Sequence, residues 1–267
     1  MRSGRNVAAA VLAGLGAALV LANGLSAQTE TSPSPAPGSA TGFVDEFDQL
    51  DTERWYLSDG WVNGDHQNCL WSKDRITLEN GALRLSLTDD PAEEQPFTCA
   101  ELQSNARFGF GIYEARMRIP FHSGVNAAFF THVGAQQKSP HNEIDFEFLG
   151  RDGPTLQTNY FTDGKGGREQ LHGQTDDGRF RNYALIWKPD LMQWYVDGRL
   201  LREVRGADVP QVPQKVYFSL WSSGTLTDWL GPFTYPGQPL RMDVDRFAFT
   251  PIGAKCAFDG SLACLEE

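Results

Sequence analysis

The sequence lacks the motifs that mark zinc centres and serine hydrolase sites. Its four cysteines and five histidines form no CxxC or HExxH motif, which argues against zinc sites of those kinds. It has no G-x-S-x-G elbow, which disfavours a serine hydrolase. Positive charge is also scarce, because 23 lysines and arginines face 34 acidic residues and leave a net charge of −11. Such a chain repels phosphate backbones, so we expect no nucleic-acid partner.

The longest apolar run lies at the N-terminus. It extends from Val7 to Leu21, follows two arginines and precedes small residues that end at Ala27. A membrane helix needs roughly 20 apolar residues, and this run is shorter. We therefore predict a secretory signal peptide over residues 1–27 rather than a membrane anchor. The mature protein is then expected to be secreted or periplasmic, with no membrane association after signal cleavage.

The 267 residues divide by composition into four parts. After the signal, residues 28–42 are rich in Pro, Ser, Thr and Gly, and such a segment predicts a disordered linker. Residues 43–251 have uniform composition without a second linker or a repeat, which predicts one domain, expected to be monomeric. Residues 252–267 form a short C-terminal tail.

Inside that domain the dominant hydrophobic period is two. Leu83, Leu85 and Leu87 fall on one face of a predicted strand, and the segment GIYEARMRI at 111–119 alternates in the same way. The dipeptide Asp197-Gly198 between two apolar runs predicts a type I′ hairpin. No window shows a sustained helical stripe with a capping start and a glycine stop. The pattern predicts an all-β protein, a β-sandwich of the jelly-roll type.

The four cysteines suit an oxidising compartment and allow three disulfide pairings. The short spacing of Cys256 and Cys264 favours a local bridge in the tail, which leaves Cys69 to pair with Cys99. Zinc binding is the competing interpretation, and it lacks the usual ligand spacing. Structural disulfides are therefore the prediction.

Three acids alternate with apolar residues in the segment PHNEIDFEFLG at 140–150. Glu143, Asp145 and Glu147 share one face of a strand, about 6.6 Å apart, so at least one pKa should rise. Retaining glycosidases use such unequal carboxyls, about 5–5.5 Å apart. The two glutamates would have to lean towards each other, since their Cα atoms lie ~13 Å apart in a flat strand. An acidic solvent-exposed face and a calcium site remain as alternatives.

Polar and aromatic residues cluster around glycines elsewhere in the chain. Trp61 and Asn63, Asn159 and Phe161, and Trp221 and Trp229 occur in such segments. Aromatic planes stack on the C–H faces of sugars while amides and carboxylates bind hydroxyl groups, whereas most aromatic residues of a sandwich simply fill its core. These segments favour a sugar-binding site, which His132 and His141 are also expected to line.

With these motifs the chain resembles glycoside hydrolase family 16 from about Phe43 to Thr250. The resemblance rests on EIDFE at 143–147 and on flanking segments that include NCLW at 68–71, CAELQS at 99–104, NYFTDG at 159–164 and DWLG at 228–231. It is strongest with bacterial licheninases and the related endoglycanases that depolymerise succinoglycan.

The resemblance implies a concanavalin A-like jelly roll with a concave sugar-binding cleft. It further implies a secreted endo-β-glycanase acting on succinoglycan-type exopolysaccharide or β-1,3-1,4-glucan with retention, through a covalent glycosyl-enzyme intermediate. Glu143 would be the nucleophile, Glu147 the general acid/base, and Asp145 a hydrogen-bond partner of the nucleophile. The implied substrate-binding residues are Trp61, Asn63, Glu101, Gln103, Phe130, His132, His141, Asn159, Phe161 and Trp221.

The resemblance also pairs Cys69 with Cys99 and implies a structural calcium ion at the Gly81 backbone and Asp245. No cofactor is required for the implied chemistry. Two other functions remain as alternatives, namely a lectin-like carbohydrate-binding module without turnover and a transglycosylase on the same fold.

Several positions depart from the licheninase pattern. His141-Asn142 replaces Trp-Asp before the catalytic strand, and Gln103 replaces an Arg. His132 and Phe161 stand where licheninases have Tyr, and Ser219 stands where they have Asn. Because these are implied contact positions, we expect the difference in substrate to be decided there, first of all at His141-Asn142.

Overall fold

The computed structural model describes residues 41–265, and its strands are numbered β1 to β16 in chain order. The predicted signal peptide (1–27) and linker residues 28–40 lie outside the described residues. The strands form two antiparallel sheets, here called the front sheet and the back sheet. Within residues 41–265, no helix is both long and apolar enough to span a bilayer.

The back sheet contains eight strands. Their spatial order is β14 (Arg199–Arg205), β13 (Leu191–Val196), β12 (Arg181–Lys188), β7 (Gly111–Arg118), β16 (Leu240–Pro251), β5 (Ala82–Leu87) and β4 (Ile76–Glu79), with β1 (Phe43–Asp45) paired to β16.

The front sheet also contains eight strands. Their spatial order is β11 (Gln170–Gly173), β10 (Thr155–Phe161), β9 (Asn142–Leu149), β8 (Val125–Val133), β15 (Lys215–Ser222), β6 (Phe97–Ser104) and β2 (Trp55–Leu57), with β3 (Cys69–Trp71) parallel to β6. The described helices are the single α-turn α1 (Thr227–Leu230) and 3₁₀ turns at Lys73–Arg75, Ala135–Gln137 and Leu262–Leu265. The prediction of an all-β sandwich with little helix is confirmed.

The core lies between the two sheets and follows the period of two. Leu83, Leu85 and Leu87 are fully buried, as the alternation predicted. Across the front sheet Phe146, Phe129 and Phe218 stand in register on β9, β8 and β15, and their rings stack at centroid distances of 5.4 and 5.2 Å. This phenylalanine ladder fixes the core face of the strand that carries the three acids.

The predicted hairpin is present between β13 and β14. Asp197 and Gly198 both have positive φ, +47° and +75°, as a type I′ turn requires. From the same hairpin, Trp194 crosses the core and its indole Nε1 donates a 3.0 Å hydrogen bond to the backbone carbonyl of Asp145. The back sheet therefore holds the backbone of β9 at its middle acid.

The C-terminal tail packs on the outer face of the back sheet. Ala263 is buried against Ile112 and Ile186, and the backbone N–H of Leu262 donates a 2.8 Å hydrogen bond to Glu114. Burial raises the pKa of the Glu114 carboxyl, while the hydrogen bonds from Ser261 and Leu262 act against that rise.

Both predicted disulfides are present. Cys69 pairs with Cys99 across 30 residues, and Cys256 pairs with Cys264 across 8 residues. The first pair is fully buried and joins β3 to β6. It therefore ties the short strand β3 to β6 within the front sheet.

We predict that the double variant Cys69→Ala/Cys99→Ala loses about 3–4 kcal/mol of unfolding free energy, because opening a loop of this length releases chain entropy in the unfolded state. The matched control, Cys256→Ala/Cys264→Ala, removes a bridge that closes a shorter loop. It should lose about 2–3 kcal/mol of unfolding free energy. Urea unfolding followed by tryptophan fluorescence measures both. If the two variants lost the same unfolding free energy, or if the control lost more, the Cys69–Cys99 bridge would not be the more stabilising of the two.

Candidate active site

The outward face of the front sheet forms one cleft of about 950 Å³. Strand register sets its side chains in rows that run across the sheet. The first row joins Phe161, Glu143 and His132; the second joins Asn159, Asp145, Phe130, Tyr217 and Gln103; the third joins Gln157, Glu147, Ala128, Ser219 and Glu101. Each of the three acids thus anchors one row.

All three acids of β9 line this cleft, while the apolar residues between them face the core. The side chain of Glu143 is 20% exposed, Glu147 is half-buried, and Asp145 is buried. The prediction that the acids share one face is confirmed, and the alternative of a solvated acidic face does not fit their burial.

Two side-chain amides hold Glu147. Asn126 Nδ2 donates to Oε1 at 3.3 Å, and Gln157 Nε2 donates to Oε2. Gln157 is held in turn by Trp229, whose Nε1 donates to the amide oxygen at 3.1 Å. Desolvation, with the charge of Glu143 as a second cause, raises the pKa of Glu147 to about 8 against the pull of the two amides. Glu147 therefore carries a proton at neutral pH.

Asp145 lies between the two glutamates and is the most buried of the three acids. Burial first, and then the charges of Glu143 and Glu147, raise its pKa well above the usual range, and it shares a hydrogen bond with Glu143. A protonated Asp145 donates that bond to the Glu143 carboxylate. The resemblance implies the same role for Asp145, and that role stays a prediction.

His141 is the direct partner of Glu143. Its Nε2 lies in hydrogen-bond contact with Glu143 Oε2, and its ring stacks on Phe161 at a centroid distance of 4.4 Å. The hydrogen bond to Glu143 raises the pKa of His141, whereas burial lowers the pKa of the neighbouring His132. Of the two imidazoles beside the predicted nucleophile, His141 therefore favours the protonated, charged form and His132 favours the neutral form.

The structure places every predicted substrate-binding residue on the wall of the cleft. They are Trp61, Asn63, Glu101, Gln103, Phe130, His132, His141, Asn159, Phe161 and Trp221. Among them Glu101 is buried and accepts hydrogen bonds from Ser58 at 2.6 Å and from Gln103 at 3.0 Å. Burial raises the pKa of Glu101 to about 6 despite these bonds.

Sequence reasoning missed a second set of cleft residues. They are His66, Asn126, Gln157, Glu169 and Tyr217. Three of them follow the period of two already visible on β8, β10 and β15, so alternation from Phe130, Asn159 and Ser219 indicates their face. His66 and Glu169 lie outside these strands, where alternation gives no signal. Trp229 was expected from its position between Asp228 and Gly231, and it lines the cleft.

One predicted contact position is wrong. Asn142 is buried, and its side chain turns away from the cleft, where it donates to the Pro140 carbonyl at 3.1 Å and bonds Asp163. Because β9 alternates, a residue next to Glu143 must face the opposite side. Of the pair His141-Asn142, only His141 faces the cleft.

The predicted calcium ligands lie in and beside the back sheet. Gly81 forms the turn between β4 and β5 with a φ of +73°, and Asp245 lies at a bulge in β16. The Asp245 carboxylate forms an ion pair with Arg116. That ion pair uses Asp245 Oδ2, whereas Asp245 Oδ1 is buried and accepts no hydrogen bond from any described residue, as a calcium ligand oxygen would require. Calcium binding here stays a prediction.

Comparison with known proteins gives a consistent result. A family model described as glycosyl hydrolases family 16 matches residues 63–239. The chain is 45% identical over 229 residues to the endo-1,3-1,4-beta-glycanase ExoK of Rhizobium meliloti (strain 1021), covering 84% of each protein. It is 33% identical over 219 residues to a beta-glucanase of Bacillus licheniformis, covering 80% of this chain and 89% of that protein.

Solved structures show the same similarity. The crystal structure of a prokaryotic beta-1,3-1,4-glucanase (lichenase) from a mouse hindgut metagenome matches with a TM-score of 0.74 and 35% identity. The match covers 80% of this chain and all of that one. The sandwich described above is therefore the jelly roll of these lichenases.

Proposed function

Since the chain belongs to glycosyl hydrolases family 16 and is a glycoside hydrolase, we propose that it cleaves internal bonds of a β-linked polysaccharide with mixed 1,3 and 1,4 linkages, with retention of configuration. The observation that carries the proposal is the strand β9, which presents Glu143 and Glu147 on one face with Asp145 between them. The names of the relatives, an endo-1,3-1,4-beta-glycanase and a lichenase, support the substrate class.

In this mechanism Glu143 attacks the anomeric carbon while Glu147 gives its proton to the departing glycosidic oxygen. The glycosyl-enzyme ester then reacts with water, from which Glu147 takes a proton, and Glu143 leaves as a carboxylate. Two buried amide oxygens in the cleft, Asn126 Oδ1 and Asn159 Oδ1, accept no hydrogen bond from any described residue. Sugar hydroxyls are suitable donors for both.

The first test is a panel of mixed-linkage β-glucan, succinoglycan, laminarin and galactan, with products sized by mass spectrometry. We expect an early fall in viscosity and medium-length products on a mixed-linkage polymer, because an open cleft admits internal bonds. Proton NMR should show the β-anomer as the first product. An initial α-anomer would contradict retention, and binding without any cleavage would favour the lectin-like alternative.

Succinoglycan is the second substrate candidate because His141, His132, Phe161 and Gln103 all line the cleft at positions where the licheninase pattern differs. Preferential cleavage of succinoglycan over mixed-linkage β-glucan would agree with a substrate preference set by these four residues. Transglycosylation uses the same first step, and products longer than the substrate in the presence of added oligosaccharide would reveal it.

We also infer that the chain works outside the cytoplasm as a monomer. Two disulfides support this location, because they persist in oxidising compartments, and the N-terminal pattern of a signal peptide agrees with it. Mass spectrometry of the exported protein would locate the cleavage, expected after Ala27, and light scattering would give the oligomeric state.

The proposed acid role predicts the pH dependence of the enzyme. Protonated Glu147 is needed for the first step, and its pKa is raised to about 8. Above that pH the protonated fraction falls, so kcat/KM on the polysaccharide should drop about tenfold per pH unit. Below that pH Glu147 stays protonated, so its titration no longer changes kcat/KM. An aryl glycoside with a dinitrophenol leaving group needs no proton and should show a much weaker alkaline limb; equal limbs on both substrates would contradict the role.

A further inference from the structure

Three metal-ligating side chains meet in the cleft beside the predicted nucleophile. His132, His141 and Glu143 each offer one ligand atom, and these atoms all lie within 4.8 Å of one another. His132 on β8 stands directly opposite Glu143 on β9, and His141 precedes Glu143 by two residues on the same face. Histidine spacing along the sequence gave no sign of this cluster, because cross-strand register brings it together.

Two imidazole nitrogens and one carboxylate oxygen are a common ligand set for divalent transition metals, including zinc with a fourth position left to solvent. Calcium and magnesium prefer oxygen ligands and fit this set poorly. Zinc binds imidazole nitrogen at about 2.0–2.1 Å, which places the ligand atoms of a tetrahedral site roughly 3.3 Å apart. Ligand atoms as far as 4.8 Å apart would have to approach by about 1.5 Å, within the reach of side-chain rotation. His141 Nε2 and Glu143 Oε2, which are in hydrogen-bond contact, would instead have to separate to admit the ion.

The residues around this cluster leave it open to an ion and hold the two imidazole rings in place. The side chains of His141 and Glu143 are 38% and 20% exposed, so an ion reaches them from the open cleft. Phe161 stacks on His141, and the ring of Tyr217 meets His132 edge-on at 5.9 Å. Gly134 leaves room for His132, because a Cβ at that position would lie 3.0 Å from its ring.

We propose that His132, His141 and Glu143 bind a divalent transition-metal ion such as Zn²⁺, and that the bound ion inhibits the enzyme reversibly. The ion would take the Glu143 carboxylate that has to attack the anomeric carbon. It would also occupy the cleft between β8 and β9, so metal and polysaccharide exclude each other. The inhibition rests on the proposed function, whereas the binding of the ion does not.

Binding is tested first, at one fixed pH, with the full chain produced without a polyhistidine tag. Isothermal titration with zinc chloride should show one ion per chain, and Co²⁺ should give the visible absorption of a nitrogen-ligated site. His132→Ala and His141→Ala should each weaken Zn²⁺ binding at least about tenfold, because even the loss of an outer partner of a ligand costs that much. Glu143→Gln should weaken it as well.

His172→Gln is the matched control, because His172 lies on the edge strand β11 and contacts Thr158 instead of the cleft. It should bind Zn²⁺ as the parent does. Circular dichroism and the thermal midpoint show whether each variant is folded. Zinc affinity that is unchanged in folded His132→Ala and His141→Ala would overturn the site.

Inhibition is tested on the polysaccharide that the panel identifies. Zn²⁺ should raise the apparent KM without lowering kcat, with an inhibition constant equal to the calorimetric Kd, and EDTA should restore the rate. If the chain cleaves no polymer but Zn²⁺ binds and needs both histidines, the proposed function fails and the site stands. If the chain cleaves and Zn²⁺ binding ignores these histidines, the site fails and the proposed function stands.

Discussion

Glu143→Gln is expected to abolish polysaccharide cleavage, with a fall in kcat of at least about 10⁴-fold, the scale seen when a covalent nucleophile is removed. Glutamine keeps the size of the side chain but cannot form the glycosyl ester. The fold should survive, because Glu143 is partly exposed and lies outside the core. Reducing-end assays with long incubation measure the loss, and circular dichroism checks the fold.

Glu203→Gln is the control for removal of a negative charge. Glu203 lies on β14 of the back sheet, is not among the residues that line the cleft, and bonds Arg205 and Gln193. This variant should keep the parent rate. Glu143→Ala with added azide offers a sharper check, because the anion replaces the missing carboxylate and yields an α-glycosyl azide. Near-parent cleavage by Glu143→Gln would show that another group is the nucleophile.

Glu147→Gln is expected to lower kcat/KM on the polysaccharide by about 10²–10⁴-fold, the usual contribution of a general acid. The loss depends on the leaving group, which separates this role from that of Glu143. On a dinitrophenyl glycoside the ester should still form at nearly the parent rate, since that leaving group needs no proton. The covalent intermediate should then accumulate, and mass spectrometry of the trapped enzyme detects it.

The alkaline limb of the pH profile should disappear in the same variant, because the group with the raised pKa has been removed. Azide should rescue turnover of the dinitrophenyl substrate and give a β-glycosyl azide, the opposite configuration from the Glu143→Ala product. If kcat/KM of Glu147→Gln falls by the same factor on the polysaccharide and on the dinitrophenyl glycoside, Glu147 does not act as the acid.

The sequence allowed the local features of this protein to be predicted well. Alternation placed Leu83, Leu85 and Leu87 in the core and the three acids on one face, and Asp197-Gly198 marked a hairpin that is present. These predictions succeeded because strand period and turn chemistry depend on residues close together in the chain. The resemblance supplied the residues of the cleft wall.

Features that depend on strand register could not be predicted from the sequence. The pairing of His132 with Glu143, and of Gln157 with Glu147, follows from which strands are neighbours and how they align. A single sequence does not contain that alignment in any short segment. Asn142 shows the opposite error, because a contact role was assigned as a pair with His141 although alternation alone turns Asn142 away from the cleft.

The hydrogen bond from Trp194 to the Asp145 carbonyl gives the protein a built-in spectroscopic reporter. An indole N–H bonded to the backbone of β9 has its own amide-region NMR resonance, and its chemical shift follows the length of that bond. When Glu143 carries a glycosyl group, strain on β9 should reach this proton without any label being introduced. Formation and breakdown of the intermediate could then be timed from the far side of the core.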